Sequence, residues 1–148
     1  MPVVTGVRPA LAGVLLAAGL LSAGCGQDYC ETVGEHQVAL SDAVADSGPA
    51  ALIGVLPELR DLQDHAPDDI GDEWQQVVGR VEALESALAD ADVDPSTYDP
   101  SDPPEGLSDG ERSRIDAAAA QLLSPDTLTA LAQVQQQALD VCHTPLNR

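Results

Sequence analysis

Seven apolar side chains recur along one line between residues 70 and 88: Ile70, Trp74, Val77, Val78, Val81, Leu84 and Leu88. Steps of three and four residues describe an α-helix that turns one side into a core, because a helical turn takes 3.6 residues. This is the strongest such stripe in the chain, so the helix that carries it is expected at the centre of the fold. Pro67-Asp68-Asp69 opens it, with the two acids placed at the positive end of the helix dipole.

The remaining segments have the same period. Asp28, with Glu31 three residues on, predicts a capped start to a first helix, whose stripe is Tyr29, Val33, Gln37, Leu40 and Val44. Ser47-Gly48-Pro49 ends it, and a second helix carries Leu52, Val55, Leu56, Leu59 and Leu62. Pro57 lies inside that second helix and is expected to bend it or split it in two, since proline lacks an N–H and clashes with the preceding turn.

Residues 90–107 hold four prolines and repeated aspartates, which predicts an irregular acidic loop. Ser108, with Glu111 at the capping-box position, starts a fourth helix with Ile115, Ala118, Ala119 and Leu122 inward. Ser124-Pro125-Asp126 starts a fifth with Leu128, Leu131, Val134, Ala138 and Val141 in register. No run alternates like a strand for long. The expected fold is all-α: a small antiparallel bundle of four to five helices, one domain over residues 28–144, preceded by a tether at 25–27.

Upstream, Arg8 is followed by an uncharged apolar run from Pro9 to Ala23. A cation, an apolar stretch and small residues at its end describe a secretory signal peptide, here residues 1–24. The run falls short of the ~20 residues that span a bilayer. Ser22-Ala23-Gly24-Cys25 resembles the lipobox of bacterial lipoproteins, although Ser22 stands where leucine is favoured. The resemblance covers residues 1–25 only. It implies that Cys25 becomes the first residue of the mature chain and carries the lipid, so that the protein is tethered to the extracytoplasmic face of the cell membrane. The alternative is ordinary cleavage near Ala23 and a soluble exported protein. The absence of lysine and the abundance of Ala, Leu, Asp and Val suggest a high-GC genome, which together with the lipobox resemblance points to an actinobacterial-type lipoprotein. Beyond residue 25 no family of known activity is recognisable.

With Cys25 assigned to lipid, Cys30 and Cys142 remain as an even pair in an oxidising setting, and a disulfide between them is expected. It would staple the first helix to the last and close nearly the whole domain. Loops of ~100 residues correspond to about 4–5 kcal/mol of lost unfolded-state entropy. Two free thiols, or a metal site using one thiol, are the other readings.

Charge excludes several function classes. The formal net charge is −19, with all twenty-five acids after Cys25 and five of the six arginines, so the mature chain carries 5 − 25 = −20. Such a surface repels nucleic acid and anionic lipid headgroups. Only Tyr29, Trp74 and Tyr98 are aromatic, which leaves little for stacking sugars, bases or flat cofactors.

The candidate sites match their patterns only in part. Asp90, Asp92 and Asp94 share the opening spacing of a calcium loop, with Asp99 and Asp102 as further oxygen donors, but Pro95 and Ser101 stand where such a loop needs Gly and Glu. His36 and His143 would approach each other if Cys30 and Cys142 were bonded, with Glu35 or Asp140 to complete a zinc-like set. No nucleophile elbow or phosphate-binding glycine loop is present. The sequence therefore predicts no catalytic residues and no cofactor. It points first to a non-enzymatic lipoprotein domain that contacts another envelope protein, with Arg112, Arg114 and the Pro/Asp loop as docking elements, and second to a cation- or small-ligand-binding lipoprotein using the acidic loop or a bundle pocket. A surface hydrolase ranks last.

Overall fold

The computed structural model describes residues 24–46 and 48–148, with side chains from Gly26 onward. The expected signal segment up to residue 23 lies outside the described residues, as does the side chain of Cys25. Among the described residues six α-helices follow one another: α1 (Gly24–Asp46), α2 (Pro49–Gly54), α3 (Leu56–His65), α4 (Gly71–Asp90), α5 (Asp109–Leu122) and α6 (Pro125–Cys142). Short 3-10 turns occupy Asp68–Ile70 and Pro95–Thr97, and no strand occurs among the described residues. The all-α expectation holds.

Helix α4 is the hub, packing against α2, α3, α5 and α6. Trp74, Leu84 and Leu88 on its inner face are fully buried, and Val77, Val78 and Val81 nearly so. Burying one such leucine stabilises the fold by about 1.5–3 kcal/mol. Its start is tighter than expected. Asp68 and Asp69 form a 3-10 turn with Ile70, closed by Ile70 N–H to the Pro67 carbonyl at 3.1 Å, before α-geometry begins at Gly71.

Pro57 resolves the second helix into two. Val55 breaks the helical course, and Pro57 falls in the first turn of α3, where a missing N–H costs nothing. This split is why six helices replace the expected four to five. It also turns α2, so that Ile53 is buried and Leu52 only half-buried.

Three expected boundaries and faces differ. Gly26-Gln27, expected as a tether, lies inside α1, because no proline interrupts the segment. Asp28 is consequently within the helix and not its cap; its carbonyl accepts a bond from Thr32 Oγ1 at 2.9 Å. The buried line of α1 passes through Ala43, leaving Val44 half-exposed. On α6 the inward positions are Thr127, Ala130, Val134 and Ala138, whereas Leu128 and Val141 are turned outward. Thr127 is drawn inward by polar bonds: its Oγ1 donates to the Gln121 carbonyl at 2.9 Å, and Ser124 caps its N–H.

The Pro/Asp segment is irregular but anchored. Val93 and Tyr98 are buried in the core, and the turn at Pro95–Thr97 packs on α2. The domain also runs past residue 144. Leu146 is buried, Gln37 donates to the Pro145 carbonyl, and the Arg148 N–H donates to Ser41 Oγ at 3.0 Å, so the chain end lies along α1.

Candidate functional site

Cys30 and Cys142 are joined by a disulfide across 112 positions, linking the N-terminal turns of α1 to the last residue of α6. The next residue, His143, adopts a left-handed conformation with φ 53° that terminates α6. The bond unites the first and last helices, as expected from the even cysteine pair. Cys25 lies in the first turn of α1.

The three candidate calcium ligands each have a local structural role. Asp90 is the exposed last residue of α4. Asp92 sits at φ 53°, with its N–H on the Ala89 carbonyl at 3.1 Å, while Val93 N–H reaches the Leu88 carbonyl at 2.9 Å. That pair of bonds is a Schellman ending, closed by apolar Val93 and Leu88, with aspartate in the place that glycine usually takes. Asp94 caps the next turn, its Oδ1 accepting from Ser96 N at 2.9 Å and Ser96 Oγ at 2.7 Å. Those bonds hold its carboxyl below the usual carboxylate range. Asp99 does the same for Ser101, with the same consequence. Among the described residues no group of three or more His, Cys, Asp or Glu side chains is placed to hold a metal ion.

His36 is not paired with His143. Its Nε2 donates to Asp61 Oδ2 at 2.7 Å, joining α1 to α3. His65 shares the same residue, its Nδ1 lying 2.8 Å from the Asp61 carbonyl and 3.3 Å from Oδ1. The His36 bond holds the Asp61 carboxyl low, and the Asp61 carbonyl raises the His65 imidazole. Asp140, the other expected partner, accepts from Gln136 on its own helix at 2.8 Å. Sequence spacing could not reveal the His36–Asp61 pair, because the two residues meet only once α1 and α3 pack.

Of the expected docking cations, Arg112 and Arg114 lie on the first turns of α5, and Arg114 Nε folds back on the Gly110 carbonyl at 3.3 Å. All three aromatics are buried. Trp74 is therefore a core anchor. Its indole N–H donates to the Tyr29 hydroxyl at 3.1 Å, and burial raises the Tyr29 pKa.

One concave feature between the helices is apolar, and the sequence offered it only as an unplaced bundle pocket. Helix α2 packs on α1, α3 and α4, and α6 packs on α1, α4 and α5, leaving a cleft between α2 and α6. Leu52, Leu59, Trp74 and Leu131 line one part, of about 60 Å³. Leu52, Leu59 and Leu131 also line an adjoining part of about 80 Å³, which Leu123 and Leu128 border. The signal was indirect: it needed the true inward face of α6, which leaves Leu128 half-exposed.

No helix among the described residues is long and apolar enough to cross a membrane. In comparisons with known proteins, no family model, no curated protein and no solved structure matches the chain.

Proposed function

We propose that this chain is an exported lipoprotein, held on the extracytoplasmic face of a bacterial cell membrane through Cys25. Its helical domain is a non-enzymatic module that contacts another envelope protein. The apolar run of Pro9–Ala23 ending in Ser22-Ala23-Gly24-Cys25 supports the anchor. The observation that carries the reading further is the position of the disulfide. Cys30 follows Cys25 by five residues of continuous helix, a rise of about 8 Å, and is bonded to Cys142. A lipid on Cys25 would therefore hold the bundle close to the membrane with no flexible linker, at high effective concentration towards membrane neighbours.

The interaction role is supported by the burial of every aromatic side chain, which leaves no stacking platform for sugars or bases. The exposed apolar cleft is instead a feature suited to protein contact. Native mass spectrometry of the chain extracted from its own envelope tests the anchor. A diacylglyceryl mass on a chain starting at Cys25 supports it. An unlipidated chain recovered from the medium overturns it.

A further inference from the structure

The walls of the α2–α6 cleft are free of charge on a chain whose formal net charge is −19. Gly48 to Pro57, which spans α2, contains no charged residue, and neither does Thr127 to Leu139 on α6. On α6, Leu128 is 50% exposed and Leu139 44%, and Leu123 at the end of α5 is 64% exposed, so these apolar side chains face solvent. Leu128, Leu131, Gln135 and Leu139 follow one another at steps of three and four along that helix. Gln135 lines the cleft beside Leu131, and it also lines the neighbouring hollow with Leu139.

We propose that this cleft is the docking site for an amphipathic helix of a cationic partner protein. The partner's apolar face seats between α2 and α6, and Lys or Arg residues flank that face. The proposal deepens the protein-contact half of the reading above and rests on it, but not on the lipid anchor.

Three arguments select this occupant. First, the uncharged run of α6 is about 20 Å long, the length of three to four helical turns, and apolar anchors spaced by three and four are how a groove receives a helix. Second, the surrounding field is strongly negative. It repels a second copy of this chain, nucleic acid and anionic lipid, while it attracts and orients a partner with cationic flanks. Third, neutral walls allow such a partner to bury its apolar face without stripping water from acids, the largest cost of closing an interface on an acidic protein.

The test uses the oxidised, full-length chain from its own envelope, placed in zwitterionic lipid nanodiscs with empty nanodiscs as blank. The probes are two tryptophan-free helical peptides with the same leucine face, one flanked by lysines and one by glutamates. Trp74 is the only tryptophan and lines the cleft, so its emission reports occupancy. The lysine peptide is expected to shift that emission, to weaken with added salt, and to bind at least about tenfold more tightly than the glutamate peptide. Leu128→Ser with Leu139→Ser should weaken it by about tenfold or more, while Val38→Ser, exposed on α1, should not. Equal binding of both peptides, equal loss in Val38→Ser, or no binding at all overturns the proposal. A dimer in sedimentation that Leu128→Ser dissolves overturns it in favour of a second copy. An unlipidated chain would sink the anchor and leave the peptide result standing, so the two failures are distinguishable.

Discussion

The indole N–H of Trp74 on α4 donates to the hydroxyl of Tyr29 on α1 at 3.1 Å, and both side chains are fully buried. The bond satisfies the one polar atom of the largest core side chain, and it ties the hub helix to the helix that carries the disulfide. Tyr29→Phe keeps the ring but leaves the indole N–H without its acceptor. A loss of about 1–3 kcal/mol is expected in urea unfolding, with the helical content of the native state unchanged. A neutral result would show that the bond contributes nothing net.

The Cys30–Cys142 bond closes a loop of 112 positions. Cys30→Ala with Cys142→Ala should lower unfolding stability by about 3–5 kcal/mol, mainly by enlarging the unfolded ensemble. Denaturant midpoints of the double variant and of the reduced wild type should then agree. Two well-separated values would mean that the alanines damage packing independently of the bond.

Asp61 and His65 make stability depend on pH in opposite directions. The Asp61 carboxyl is lowered from 3.8, so its contribution is present above that value and is lost as pH falls through the lower, folded value. The His65 imidazole is raised from 6.5, so its contribution is complete below 6.5 and is lost as pH rises through the higher, folded value. The window of full benefit lies between the two. The effect is small because both side chains are 43% exposed. Comparing melting temperatures of wild type and His65→Gln from about pH 5.5 to about pH 8 isolates the imidazole. The gap between them should narrow as pH rises, and a widening gap contradicts the assignment.

Asp92 adopts a left-handed conformation at the Schellman ending of α4. Glycine takes this conformation without the clash at Cβ, so Asp92→Gly should raise stability by about 0.5–1 kcal/mol. Thermal melts with and without calcium address the loop's other reading in the same samples. A destabilised variant would contradict this account of the helix ending, and a calcium-dependent gain lost on substitution would assign the aspartate to a ligand.

Ser108 and Glu111 form a reciprocal cap on α5: Glu111 Oε2 accepts from Ser108 N at 2.8 Å, and Ser108 Oγ accepts from Glu111 N at 3.3 Å. Ser108→Ala should cost about 1 kcal/mol. Hydrogen exchange at the first turn of α5 should accelerate, and unchanged protection there would contradict the role of the cap.

Local chemistry was legible in the amino-acid order alone. Helical period placed Trp74, Leu84 and Leu88 in the core, Ser108 and Ser124 proved to be caps, and Pro57 divided its helix. Each of these depends on neighbours within a turn or so, where the backbone's own geometry dictates the outcome. Tertiary packing decided the rest. Whether Leu128 or Thr127 faces inward depends on which neighbours α6 meets, since the stripe there is broad and weakly polar. The His36–Asp61 pair, the docking of Leu146 along α1 and the cleft between α2 and α6 all join segments far apart in the chain. Their contacts exist only after the helices have chosen their partners, and helical spacing within one segment carries no information about that choice.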